Sequence, residues 1–445
     1  MGNTTNMVPP DSSEMTSPEM VAYYNNRPLM WRNLGIIMLL NLGWMVVFTV
    51  VNPLIQLRMN TLGFGEGSLG LLGAINAWAY SYLVMYFAWK SDHTVSRFGR
   101  RVPYLFLSAP VIVIAVFVFP FINVMWLLAG IWLLQAFAMD IKAATIPLLN
   151  IDCMPRRMLA RAGIPAAIMS AILGFLSMRY GMKLAEWNEY APYFLGGIVL
   201  ILTTLVGGLL IREPPVRDPT TEKFKPWSAI QVACHDRRRI LLMISVSLFQ
   251  CYACVIGSWV WLFAKNTLGM SRLETGQALA WGGLAAVLVS APIGWLIDHV
   301  SPYKLMLAYC GLLGVHLFFV FQIHNSTSLI FVACLGAVLF PLYAASDIMI
   351  YRTADPKVIG SYTSTNSCLR GLTVGVLAMG MGYLIEHTGH NYYIAFVAAY
   401  FLQLLGLVAL FGYRHLMLRD APATTPQLAG SGFIQPPVIA GEGVE

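Results

Sequence analysis

Four charged side chains sit inside long apolar stretches of this 445-residue chain: Asp140 and Lys142 in one stretch, Asp347 and Arg370 in two others. A charge in apolar surroundings is costly, so each is a functional candidate by default. Asp140 and Lys142 are two positions apart, about 200° around a helix, and cannot face one another. Asp347 is the expected partner of Arg370. The same stretches hold neutral polar and aromatic side chains: Asn41, Trp44, Asn52, Asn76, Tyr80, Gln135, Gln250, Tyr252, Trp259 and Asn366. Amides hydrogen-bond hydroxyl groups and flat rings cover C–H faces, so a site built this way suits a polyol better than an ion. The competing reading is that amides join helices and that Trp and Tyr near helix ends form interface belts.

A second constellation is a loop motif, Ser91-Asp92-His93-Thr94-Val95-Ser96-Arg97-Phe98-Gly99-Arg100-Arg101-Val102-Pro103-Tyr104. Here a carboxylate leaves an apolar segment just ahead of three arginines, so Asp92 can pair with Arg97, Arg100 or Arg101, or accept from the amides at a helix start. Part of the motif returns as Asp298-His299-Val300-Ser301-Pro302-Tyr303-Lys304, with the aspartates 206 residues apart. Other echoes have nearly the same spacing: Asp140-Ile141 with Asp347-Ile348 at 207, and Pro155 with Pro356 at 201. Such repetition implies two homologous halves.

The elements that must carry these residues are set by composition. Apolar residues make up 58% of the chain and charged residues only 11%, with a mean hydropathy of +0.66. A soluble domain is about a quarter charged, and disorder needs the opposite composition. Twelve apolar runs are legible, at 33–56, 67–89, 103–122, 124–149, 162–182, 192–212, 240–264, 274–297, 303–323, 327–350, 362–386 and 391–415. In a bilayer each must be a helix, because only a helix satisfies its own backbone. The Pro-rich segment at 213–239 separates two halves, 31–212 and 240–416; residues 1–30 and 417–445 read as tails.

With both termini on one side, that side carries 21 of the 28 Lys and Arg residues and the other side five. Lys142 and Arg370 account for the rest. The asymmetry predicts cytosolic termini in a cell (inner) membrane, and it explains the net charge of +7 without a nucleic-acid partner. No phosphate-binding loop, G-x-S-x-G or H-E-x-x-H is present, so neither an enzyme, a cofactor nor a metal site is expected. The seven cysteines are read as packing residues, including Cys251 and Cys254.

The loop from Ser91 to Tyr104 and the duplicated plan resemble the major facilitator superfamily. More narrowly, Ser91, Asp92, Ser96 to Arg101, Pro103 and Tyr104 resemble the loop of its sucrose and glycoside–cation symporter branch. Departures are Ala88 for the motif glycine, His93 for a base, and Asp140 with Lys142 where that branch has an arginine. The resemblance implies an all-α integral membrane fold with twelve transmembrane helices in two pseudo-symmetric six-helix halves. It also implies a monomer that moves a sugar or glycoside by alternating access, with a proton or sodium ion as possible co-substrate. Helices 1, 4, 7 and 10 would line the cavity, bringing Asn41, Gln135, Asp140, Gln250 and Asp347 to the solute. Asp92, Arg97, Arg100 and Arg101, with Asp298 and Lys304 in the second half, would form gating latches. Alternatives are a carrier for an organic acid, peptide or drug, and a transporter-like sensor.

Overall fold

The computed structural model describes residues 18–154, 156–214, 231, 237–343, 346, 349–350 and 359–419. These residues are helical, joined by short turns. A short leading helix, Pro18–Asn25, precedes twelve long ones. The first six are α1 (Arg27–Thr61), α2 (Glu66–Asp92), α3 (Val102–Phe121), α4 (Met125–Cys153), α5 (Arg156–Trp187) and α6 (Ala191–Leu210). The last six are α7 (Arg237–Asn266), α8 (Arg272–His299), α9 (Pro302–Val320), α10 (Ser326–Tyr343), α11 (Ile359–His387) and α12 (Tyr393–Arg419). Eight of them are long and apolar enough, over the described residues, to cross a bilayer. Exposed Trp126, Leu288, Phe318 and Val408 suit a lipid-facing surface.

Local chemistry explains where the helices start and bend. Asn26 caps α1 through its side chain, which accepts from the Leu29 amide, and Ser271 and Glu274 form a reciprocal capping box on α8. Proline in the first turn opens α1, α3, α6 and α9, where its missing N–H is no loss. Within α1 the ladder widens to a π turn at Val47–Val51, just ahead of Pro53. The helices extend past the apolar runs: α1 reaches Arg27 and Thr61, beyond the 33–56 run, because capped polar ends prolong a helix into the headgroup region.

Packing repeats with the chain. In the first half α1 lies against α5 and α6, α2 against α4, and α3 against α4 and α6. In the second half α7 lies against α11 and α12, α8 against α10, and α9 against α10 and α12. Adding six to each helix number turns one set into the other. The two principal contacts between halves, α2 with α11 and α5 with α8, exchange under the same operation.

The apolar cores show where the halves meet. One cluster joins both halves, including Leu54, Ile55, Trp259, Phe263, Met381 and Ile385, and lies at the end away from the Ser91–Tyr104 loop. At the loop end, here called the basic end, the cores are separate: Ile37, Leu105 and Leu149 in the first half, and Met243, Met306 and Leu313 in the second.

Close approach along the α2–α11 seam depends on glycine. A methyl on Gly70 would overlap the Ala378 carbonyl oxygen and lie 3.1 Å from the Gly382 Cα, whereas one on Gly73 would sit 3.5 Å from the Ala378 Cβ, an ordinary contact. Gly70→Ala is therefore expected to cost about 1–3 kcal/mol through overpacking, and Gly73→Ala close to nothing. Thermal unfolding of the purified protein checks this, and equal melting temperatures for the two variants would contradict the seam geometry.

Candidate functional site

The polar side chains collect at three levels. At the basic end, Arg101 is the hub, with its side chain 3% exposed. Its guanidinium donates to Asp152 Oδ2 at 3.0 Å, to Asp92 Oδ1 at 2.5 Å, to the Ala88 carbonyl at 3.2 Å and to Ser91 Oγ. Arg100 pairs with Asp152 at 2.6 Å and lies 3.9 Å from Asp92. Glu213, just beyond α6, accepts from the amides of Arg100, Arg101 and Val102, at and just ahead of the α3 start, at 2.8, 2.9 and 3.1 Å. Two orphan donors of the helix start and the amide before them are thereby satisfied at once. Burial raises the Glu213 carboxyl above its ordinary value, against the pull of those amides. Gly99 adopts φ +102°, and a methyl there would strike the Glu213 carboxylate. Arg97 takes no part, lying 4.7 Å over the Phe98 ring.

This cluster ties the ends of α2, α3, α4 and α6, all in the first half. The leading helix adds to it: the Tyr24 hydroxyl donates to the Asp152 carbonyl at 2.9 Å and that of Tyr23 to the Arg212 carbonyl at 2.8 Å. In the second half Lys304 is exposed, and the Asp298 side chain lies outside the described residues.

At mid-depth a hydrogen-bond chain crosses from one half to the other. Ser247 on α7 donates to Asn366 on α11 at 3.0 Å, and Asn366 donates to Gln250 Oε1 at 3.3 Å. Arg370 also donates to Gln250 Oε1 at 3.3 Å, and to the Tyr80 hydroxyl of α2 at 2.8 Å. Gln250, Asn366 and Arg370, predicted separately, thus share one cluster. Asp347, the expected partner of Arg370, lies outside the described residues, as does the Tyr252 side chain.

In the first half Gln135 donates to Asn52 at 3.0 Å. Lys142, wholly buried, donates to Thr204 of α6 at 3.2 Å and so points into its own half. Asp140, 8% exposed, has Oδ2 without a hydrogen-bond partner. Asn76 Oδ1, Gln135 Oε1 and Trp259 Nε1 are unpaired as well. Buried polar atoms are nearly always satisfied, so these four, all predicted ligand contacts, mark unmet hydrogen-bonding capacity. Asn41 and Trp44 are half-buried on α1, the Trp44 ring stacked on Phe48.

The third level, at the opposite end, escaped sequence reasoning. Glu66, at the start of α2 and 2% exposed, accepts from the Tyr392 hydroxyl at 2.5 Å and contacts His390 Nδ1 at 3.0 Å. Glu386 of α11 accepts from the Gly67 amide at 2.7 Å, and Lys265 of α7 donates to Asn60 of α1 at 2.9 Å. The available signal was the echo of Glu66 by Glu274 near the repeat spacing. Among the described residues, no group of three or more His, Cys, Asp and Glu is placed to hold a metal.

A family model, the Major Facilitator Superfamily, matches residues 35–378. Among solved structures, the nucleoside transporter NupG in a mutant form aligns with a TM-score of 0.69 at 12% identity, covering 86% of this chain and 99% of that one. A bacterial homolog of the human lysosomal transporter Spinster, inward-facing and unoccupied, aligns at 0.63 and 14% identity, covering 92% and 100%. No curated protein matches.

The basic-end geometry separates its two acids. Asp92 is half exposed and leaves Arg101 still paired when neutralised. Asp92→Asn is expected to cost about 1 kcal/mol of stability or less while lowering transport. Arg101→Met leaves Asp152 to Arg100 alone and removes the buried hub's bonds to two carboxylates, and is expected to cost about 2 kcal/mol. Melting temperature and flux measured on the same membrane preparations distinguish the two, and wild-type flux in Asp92→Asn would reject a gating role.

Proposed function

Since the chain belongs to the Major Facilitator Superfamily, whose members are membrane transporters of small solutes rather than enzymes, we propose that it carries a sugar or glycoside by alternating access. In this reading the halves 31–212 and 240–416 rock about a central site, and the basic end and both termini face the cytosol across a cell membrane. The observation that carries it is the polar relay Ser247–Asn366–Gln250–Arg370–Tyr80, which bridges the halves and whose one charge is Arg370, together with four buried polar atoms without partners. A solute with many hydroxyls both donates and accepts, which is what Asn76 Oδ1, Gln135 Oε1 and Trp259 Nε1 jointly require. A co-transported proton or sodium ion would meet Asp140, whose Oδ2 is unpaired.

Arg370 favours a second reading, an organic acid, because a guanidinium within the relay can exchange a neutral acceptor for a carboxylate. A thermal-shift screen of purified protein against sugars, nucleosides, organic acids and amino acids separates the two, since a bound solute raises the melting temperature with occupancy. Sugars or nucleosides are expected to stabilise, and Gln250→Ala to weaken their binding about tenfold, the equivalent of one good hydrogen bond. Stabilisation by organic acids alone would favour the second reading. Binding without counterflow in proteoliposomes would indicate a sensor.

A further inference from the structure

The start of α2 and the start of α8 are equivalent under the repeat, and Glu66 and Glu274, 208 residues apart, each occupy the first turn. Their surroundings differ. Glu274 is exposed and spends its carboxylate on its own helix, accepting from the Ser271 amide at 2.9 Å. Glu66 is buried and faces the other half, held by the Tyr392 hydroxyl and touching His390 Nδ1. Tyr392 is itself positioned by Asn266 of α7, whose amide donates to the same hydroxyl oxygen at 2.6 Å. His390 reaches the carboxylate from a turn in which it takes φ +62°, a conformation L side chains rarely adopt. Beside this contact Glu386 caps the Gly67 amide across the same seam. On the equivalent α5–α8 side Gly276 lies against Met182 and the Trp281 and Phe175 rings meet at 6.0 Å, while Arg272 at the start of α8 acts on the Tyr193 hydroxyl of α6 electrostatically.

We propose that the end opposite the basic loops is closed asymmetrically, with Glu66 as the positioning residue of a polar bolt between α2 and the α11–α12 turn and the α5–α8 seam as its hinge. The bolt rests on the alternating-access reading, because a contact that bridges the halves only when this end is shut must break each time it opens. Removing it shifts the balance between the two arrangements. Opening at one end is then matched by closing at the other, an effect that simple local loosening cannot produce.

Hydrogen–deuterium exchange on the full-length protein in nanodiscs, without any solute, reads both ends at once. Glu66→Gln and Tyr392→Phe are expected to speed exchange about tenfold at residues 66–70 and 382–390, the effect of losing one hydrogen bond to a charged group. Exchange should slow at the basic ends of α2 and α8. Glu66→Asp should restore most of the wild-type pattern, and Glu274→Gln should alter only the first turn of α8. Faster exchange at 66–70 with no slowing at the basic ends, or the same redistribution from Glu274→Gln, would overturn the proposal. Should Glu66→Gln fold poorly, Tyr392→Phe, which removes one hydroxyl, carries the test. Absence of counterflow by the wild-type protein overturns the transport reading separately.

Discussion

Lipid offers two helical halves almost no hydrophobic reason to adhere, because acyl chains solvate apolar side chains as well as a neighbouring helix does. What joins them must be short-range: backbones brought close at glycine, and polar groups with nowhere else to bond. The α2–α11 seam has both. Gly70 and Gly382 admit close contact, while Glu66, Gly67, Glu386 and Tyr392 supply hydrogen bonds. Such contacts are individually modest, so a seam built from them can separate and re-form.

Each half is held differently within itself. At the basic end of the first half, two arginines and three carboxylates lock four helix ends together. Breaking that assembly would strand buried charge, so the half is suited to move as one piece. The contrast between a rigid interior and a yielding seam is the mechanical content of the fold. The mid-depth relay belongs to the seam, since its Arg370–Tyr80 link spans α11 and α2.

Much of this was legible in one dimension. The apolar runs locate the helices because lipid leaves the backbone no alternative, and the echo of Asp92 by Asp298 at 206 residues anticipates the observed repetition in packing. Gln250, Asn366 and Arg370 were recognisable as polar intruders, though nothing in the chain said that they would touch. Long-range pairings were invisible. Glu213 lies more than a hundred residues from the amides it caps, and Glu66 more than three hundred from Tyr392. Both acids stand at the ends of apolar runs, where a charge ordinarily means only that the membrane has been left. Their burial arises from helices that arrive from elsewhere in the chain, which local pattern cannot encode.

The leading helix has a practical consequence. Tyr23 and Tyr24 fasten it to the carbonyls of Arg212 and Asp152, so it travels with the first half as a rigid handle. The last helix, ending at Arg419, belongs to the second. A fluorophore at Pro18 and another at Arg419 would therefore ride on opposite arms, and the distance between the dyes would follow the swing of one arm against the other, with no label inside the membrane.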